Sequence, residues 1–272
     1  MDELIIEAGR AGRQYWRDLW HYRELFLFLA WRDLLVRYKQ TVVGVAWSLI
    51  RPALAVFLLS MFGKAAKLHM GHVPAPLFTS CALLPWQFFA TALSESGNSL
   101  VNNSNMISKV YFPRLVVPAS SVITSFVDFL ITAALVMLLM AWYQFLPPVT
   151  FWLLPIFIVL VFAASFGAGL WIAALMVKYR DFRFIVPFIV QYGFLASPLV
   201  LATSDVPERW RLVWSLNPMV GIIDGFRWCL LGGEKNLMYW PGFALSLLSV
   251  TVLIVSGFWY FRKTERTFAD VI

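Results

Sequence analysis

Charged side chains are scarce in this sequence, and their scarcity excludes an ordinary soluble domain. Only 14% of the 272 residues are charged and 60% are hydrophobic, whereas a soluble globular domain carries about 25% charged residues. A membrane-spanning helix needs about 20 mostly apolar residues, so a chain of this length can hold several spans and little soluble structure. We therefore predict a single all-α integral membrane domain.

Patterns that indicate catalysis or cofactor binding are also missing. The three histidines and two cysteines form no zinc motif and no disulfide framework. No glycine-rich loop ends in Gly-Lys-Ser or Gly-Lys-Thr, which excludes ATP binding by a P-loop in this chain. The net charge of +7 comes from basic residues scattered among apolar segments, which favours membrane topology over nucleic acid binding. We expect no metal, no cofactor and no nucleic acid partner for this chain.

Six apolar segments are predicted to cross the membrane. They cover residues 41–63, 77–96, 115–143, 151–177, 184–202 and 240–261. The first contains Arg51 and Pro52, where the missing backbone donor of proline predicts a bend. With the segment 205–236, these spans make up a transmembrane domain over residues 41–262, and residues 263–272 form a tail.

The N-terminal segment, residues 1–40, has a different composition. From residue 13 onwards basic and acidic side chains alternate with aromatic ones, and the longest uncharged stretch, residues 25–31, is too short to span a bilayer. This mixture is typical of an amphipathic helix lying in the membrane interface. An amphipathic helix packed on protein is the alternative.

Residues 205–236 are apolar but interrupted. Asn217 and Pro218 divide the apolar residues into two pieces, and Asp224 and Arg227 lie within the second piece. Neither apolar piece is long enough to span, so we predict two short re-entrant helices that enter the bilayer and return.

Most of the 22 lysines and arginines flank the spans on the side of the N-terminus, which predicts that both termini are cytoplasmic. Two short loops then face the cytoplasm, residues 102–114 and 178–183. Both combine aromatic and charged side chains, a composition typical of a docking surface for a partner. The alternative is that they are polar caps at the level of the lipid headgroups.

Four segments, in order along nearly the whole chain, carry a family resemblance. They are residues 37–47 (RYKQTVVGVAW), 110–118 (VYFPRLVVP), 178–182 (KYRDF) and 217–219 (NPM). In sequence, order and spacing they resemble the ABC-2 type transport permeases that export polysaccharides, in particular the branch for O-antigen, lipopolysaccharide and teichoic acid.

The resemblance implies a permease homodimer around a central conduit, with two copies of a separate P-loop ATPase that holds ATP and magnesium. It places the contact with the ATPase in the two cytoplasmic loops, which here contain Asn105, Lys109, Tyr111, Arg114, Lys178, Tyr179, Arg180, Asp181, Phe182 and Arg183. It places an outer gate before the last span, which here contains Trp210, Asn217, Pro218, Asp224 and Arg227.

The substrate implied by the resemblance is a polysaccharide on undecaprenyl diphosphate, moved across the bacterial cytoplasmic membrane. The 24 Phe, 13 Trp and 9 Tyr offer ring faces to sugars, although most must belong to lipid-facing belts or to packing. Arg37, Lys39 and Arg51 are the candidates for contact with the diphosphate.

Two alternatives remain at the level of sequence. One is an ABC-2 exporter of a small drug or lipid, which would share the same architecture. The other is an intramembrane enzyme acting on glycans or lipids, which would need a cluster of acids or a metal site that the sequence does not display.

Overall fold

The computed structural model describes residues 12–39, 46–65, 73–199, 201–232, 238–265 and 268. Within these residues the chain is helical and contains no strand. Eleven α-helices follow in order: α1 Gly12–His21, α2 Arg23–Lys39, α3 Ala46–Ala65, α4 Ala75–Asn102, α5 Ser104–Ile107, α6 Val116–Trp142, α7 Leu154–Lys178, α8 Phe182–Leu195, α9 Glu208–Trp214, α10 Pro218–Leu231 and α11 Trp240–Glu265. Short 3₁₀ turns cover Val149–Leu153 and Thr203–Asp205.

Five of the helices, α3, α4, α6, α7 and α11, are long and apolar enough to cross a membrane. The chain is therefore a multi-pass membrane protein. The apolar helix α8 has 14 residues, about 21 Å at 1.5 Å per residue, and is shorter than the hydrocarbon core of about 30 Å. Residues 41–45, where the first predicted span begins, lie outside the described residues.

Local chemistry explains several helix boundaries. Asn217 caps α10, since its Oδ1 accepts the backbone N–H of Met219 at 3.0 Å, and Pro218 fits the first helical position because it has no N–H to satisfy. The same helix ends at Gly232, whose φ of 82° lies in the left-handed region that favours glycine. The Asn-Pro pair thus separates α9 from α10, two short helices within residues 205–236.

Helix α4 lies at the centre of the bundle and packs against α3, α6, α7, α8 and α10, while α11 packs along α7. The crossing of α7 and α11 depends on two glycines. A Cβ on Gly167 would lie 2.7 Å from the Cα of Ile254, and a Cβ on Gly257 would lie 2.4 Å from the carbonyl oxygen of Gly167. Small residues at this crossing let the two backbones approach closely, as expected for helices in lipid.

Two clusters of buried side chains show which elements meet at each end of the bundle. At the loop end, where α4, α7 and α11 finish and α6 begins, Leu100, Ile107, Leu115, Val177 and Phe261 share one cluster. The other cluster runs along the bundle from Ile172 and Met176 of α7, and at the short-helix end, where α4, α7 and α11 begin, it includes the side chains of α10. The loop 103–115 and the end of α7 therefore lie on the same side of the molecule, opposite to α9 and α10.

Helix α1 and the first part of α2 pack on the loop end, and the rest of α2 runs along the bundle. The hydroxyl of Tyr22 donates to the carbonyl of Tyr111 at 3.3 Å, and Leu29 is buried in the cluster of the loop end. Further along α2, Arg37 contacts Asp128, which lies near the middle of α6. Helix α2 therefore runs from the loop end toward the middle of α6 and does not lie flat across the end of the bundle.

Candidate functional site

Both predicted docking loops present charged and aromatic side chains to the outside of the loop end. In the first loop Asn105, Lys109 and Tyr111 are exposed. In the second, the exposed residues are Lys178, Tyr179, Arg180, Asp181 and Arg183. The structure thus brings the two predicted segments to one face of the molecule, where a single partner could contact both.

Two of the predicted docking residues point inward instead. Phe182 is half-buried and packs against the core cluster, which anchors the start of α8. Arg114 is half-buried, and its guanidinium donates to the carbonyl of Glu265. These two side chains hold the loops in place and offer less surface to a partner.

Glu265, near the end of α11, joins three distant parts of the chain. Its Oε1 accepts the backbone N–H of Arg114 at 2.9 Å and the hydroxyl of Tyr15 at 3.4 Å. The guanidinium of Arg262 lies 3.4 Å from the centre of the Tyr15 ring. Burial, together with the charge of Glu265, raises the pKa of Tyr15 above its ordinary value, so the phenol stays protonated and can donate. The first docking loop is therefore fixed to both α1 and α11.

A partly exposed ionic cluster connects four helices. Arg37 on α2 donates to Glu95 on α4 at 2.6 Å and also to Asp128 on α6. Tyr38 donates to the Asp128 carboxylate, which also accepts the hydroxyl of Ser48 on α3 at 3.2 Å. Burial and the bond to Asp128 raise the pKa of Tyr38, which keeps this donor protonated. We refer to Arg37, Glu95, Asp128, Tyr38 and Ser48 as the α2 anchor.

The α2 anchor changes the assignment of the predicted diphosphate contacts. The guanidinium of Arg37 is already bound by two carboxylates of the same chain, so an anionic ligand would have to compete with both. Lys39 is exposed, and Arg51 is exposed with its guanidinium 5.9 Å from the centre of the Trp47 ring. Lys39 and Arg51 are the better placed of the three candidates.

The predicted gate residues divide into exposed and buried groups. Trp210 on α9 is 53% exposed. Asn217 donates to the Oγ of Ser197 at 3.0 Å and to the carbonyl of Ala196 at 3.2 Å, so the start of α10 is held against the end of α8. Pro218 is half-buried. Only Trp210 presents a large side chain outward.

Arg227 is fully buried in α10, unusual for an arginine. Its guanidinium donates to the carbonyls of Leu199 at 2.8 Å and Leu201 at 3.3 Å and, more weakly, of Phe78 at 3.4 Å. It also lies 3.8 Å from the centre of the Phe78 ring. Asp224, one turn earlier, is buried as well. Arg227 therefore holds the segment after α8 between α10 and the start of α4.

Replacing Arg227 with lysine should lower the stability of the short-helix end. Lysine keeps the charge but cannot reproduce the planar fork that reaches three carbonyls, and each buried carbonyl left without a donor costs about 1–3 kcal/mol. We expect the thermal unfolding midpoint of the detergent-purified chain to fall by several degrees.

The matched control is Arg211→Lys. Arg211 also donates to two carbonyls of the same segment, those of Val206 at 2.7 Å and Ser204 at 2.8 Å, but its side chain is 24% exposed, so water can replace the lost bonds. An equal fall in the midpoint for both variants would show that the burial of Arg227 does not matter.

Within the described residues, no group of three or more histidine, cysteine, aspartate or glutamate side chains could hold a metal ion. Sequence reasoning did not identify Glu265, Glu95 or Asp128 as site residues. A carboxylate at the end of an apolar span, close to Arg262 and Lys263, was the one available signal for Glu265.

Comparison with known proteins agrees with this architecture. The family described as ABC-2 type transporter matches residues 24–231. An O-antigen export system permease protein RfbA of Klebsiella pneumoniae is 27% identical over 259 residues, 94% of this chain and 97% of that protein. An RfbA permease of Myxococcus xanthus is 26% identical over 259 residues, 94% of this chain and 98% of that protein.

The family match extends from the start of α2 to the end of α10 and so includes both docking loops, the α2 anchor and the two short helices. The relatives extend the similarity over nearly the full length of both proteins. The chain therefore belongs to the ABC-2 type transporter family, and it is a transport permease and not an enzyme.

Proposed function

We propose that this chain is the transmembrane permease subunit of an ABC transporter that exports a lipid-linked polysaccharide, an O-antigen or a similar glycan on undecaprenyl diphosphate. Two copies of the chain form the conduit, and two copies of a separate P-loop ATPase supply ATP hydrolysis with magnesium. The full-length similarity to relatives named as O-antigen export permeases carries the proposal.

The arrangement of the two ends supports a role for the loops in coupling. The exposed charges of residues 102–114 and 178–183 share the loop end, and α9 and α10 occupy the opposite end. A partner that pushes on the loop end could act through α4 and α7, since both helices extend from that end to the short-helix end. The loops then receive the ATPase in the cytoplasm, and α9 and α10 form the outer gate.

A six-span topology accounts for α8. This helix starts beside the end of α7 at the loop end, and the segment that follows it is bound by Arg227 at the short-helix end. The segment that begins with α8 thus connects the two ends of the bundle, and in the described part of this segment the α-helix ends at Leu195. With this crossing the spans number six, and both termini lie on the cytoplasmic face of the bacterial inner membrane.

Large parts of α3 and α8 are not covered by the rest of the chain, which leaves apolar faces available to a second copy. On α3 the side chains of Phe57 and Phe62 are 57% and 68% exposed, and on α8 those of Phe184 and Phe188 are 78% and 60% exposed. We propose that these two helices face the second copy and the conduit. Arg51, exposed on α3, would then be available to the diphosphate of the substrate.

Deleting the gene for this chain tests the proposed function. The surface glycan should be lost while its lipid-linked precursor accumulates on the cytoplasmic side, and the intact gene should restore export. Normal surface glycan with increased sensitivity to a drug would favour the alternative exporter. Glycan or lipid turnover by the purified chain without any ATPase would favour the enzyme.

A further inference from the structure

An apolar groove lies at the loop end between the N-terminal helices and the bundle. Its volume is about 610 Å³, within the range of about 300–1,000 Å³ typical of small-ligand sites. One wall is formed by Trp16, Leu19 and Phe26 of α1 and α2, and Phe166 of α7 also lines it. The second wall comes from α6 and α11, so five helices contribute to the groove.

The chemistry of the groove is that of a lipid tail beneath a charged head. Every lining residue except Arg23 is apolar. Arg23 is exposed, stacks 5.4 Å from the centre of the Trp20 ring, and forms no ion pair with an acidic side chain in the described part of the chain. A cation at the mouth of an apolar groove at a helix end complements an anionic lipid headgroup.

The groove opens toward the surroundings and not toward the proposed conduit. Val255 of α11 and Trp16 of α1, both part of its lining, are 64% and 57% exposed. No residue of α3 or α8 contributes to the lining, so a homodimer formed through those two helices leaves the groove free. The groove lies at the depth of the lipid leaflet on the loop side, because it is lined by the beginning of α6 and the last turns of α11.

We propose that this groove binds one anionic glycerophospholipid of the cytoplasmic leaflet, with an acyl chain between α6 and α11 and its phosphate on Arg23. The bound lipid fills the space between α1 and the bundle. In the described structure, Trp16 of α1 and Phe258 of α11 stack at the edge of this space, with ring centroids 5.5 Å apart. The site and its test stand independently of the identity of the exported glycan.

The experiment titrates the detergent-purified full chain with phosphatidylglycerol and with phosphatidylcholine of identical acyl chains and counts bound lipids by native mass spectrometry. We expect one tightly held phosphatidylglycerol per chain. Arg23→Gln should weaken its binding about fivefold, the effect of one arginine near an anionic surface. It should weaken phosphatidylcholine binding less, because the choline cation already offsets the charge of that lipid's phosphate.

A second variant tests the tail. Ala119 lines the groove and is half-buried, so Ala119→Phe fills the space for the acyl chain without altering a charge. It should weaken the binding of both lipids. The matched control is Arg209→Gln, because Arg209 stacks on Trp210 at 5.9 Å at the opposite end of the molecule. This control should bind lipids as the unaltered chain does.

Three results would overturn the proposal. The first is equal affinity of the unaltered chain for the two lipids, and the second is an Arg23→Gln effect no larger than that of Arg209→Gln. The third is displacement of phosphatidylglycerol by an equimolar polyprenyl diphosphate, which would make the groove a substrate site.

Discussion

Reversing the charge of Lys109 or of Asp181 is expected to stop export while the chain still folds and inserts. Both side chains are exposed at the loop end and form no ion pair within the described residues, so the fold does not depend on them. In a contact with a partner, however, like charges placed opposite each other cost several kcal/mol. Lys109→Glu and Asp181→Lys should each reduce transport at least tenfold.

The measurement separates coupling from folding. Export is followed together with ATP hydrolysis in vesicles that contain permease and ATPase, and the amount of inserted permease is quantified in the same vesicles. ATP hydrolysis should continue without export, or the ATPase should no longer copurify. Arg209→Glu, an exposed reversal at the opposite end, is the control for ATPase binding. Transport at the full rate in both loop variants would show that the docking assignment is wrong.

Replacing Arg37 with methionine is expected to cause the largest loss of stability among single changes in the α2 anchor. The guanidinium neutralises two carboxylates, those of Glu95 and Asp128, on two membrane-spanning helices. A charge left unpaired at such a depth costs about 2.5–3.5 kcal/mol on insertion scales. Partial exposure of the three side chains lowers this figure, and we expect a loss of about 2 kcal/mol and a strongly reduced yield of folded chain.

Charge removal provides the internal test of this expectation. The triple variant Arg37→Met, Glu95→Gln, Asp128→Asn has no unpaired charge and should recover most of the stability lost by Arg37→Met alone. Arg32→Met is the control on the same helix, since Arg32 pairs with its neighbour Asp33 and bonds Asn103 without contacting either acid of the anchor. Equal destabilisation by the single and the triple variants would contradict the ion-pair explanation.

Much of the fold could be predicted from the sequence because its signals are local. Apolar length predicted five segments that correspond to long helices, and Asn217 with Pro218 predicted the division into α9 and α10. Within the described residues, the segment predicted at 184–202 is helical only as far as Leu195. Pro198 explains the early end, since a proline disfavours helical geometry in the residue before it, and hydropathy does not detect this effect.

The contacts that organise the candidate site could not be predicted from the sequence in the same way, because they join residues that are far apart in the chain. Arg114 and Glu265 are 151 residues apart, and Arg37 and Asp128 are 91 apart. From the sequence alone, Glu265 and Asp128 could equally have faced lipid headgroups, water or a partner subunit. Only the packing of α1, α2 and α11 shows which partners these two carboxylates have. Composition correctly indicated that the loops are charged, but it could not show that Arg114 turns inward.

The hydrogen bonds of Glu265 to Tyr15 and Arg114 have a consequence for exchanging segments between related permeases. The surface offered at the loop end is assembled from a loop near residue 110, the first described helix and the end of the last one, held together by one carboxylate. A chimera that transplants the loop alone would separate it from the residues that shape it. Recognition of a new ATPase should transfer only when all three pieces are exchanged as a set.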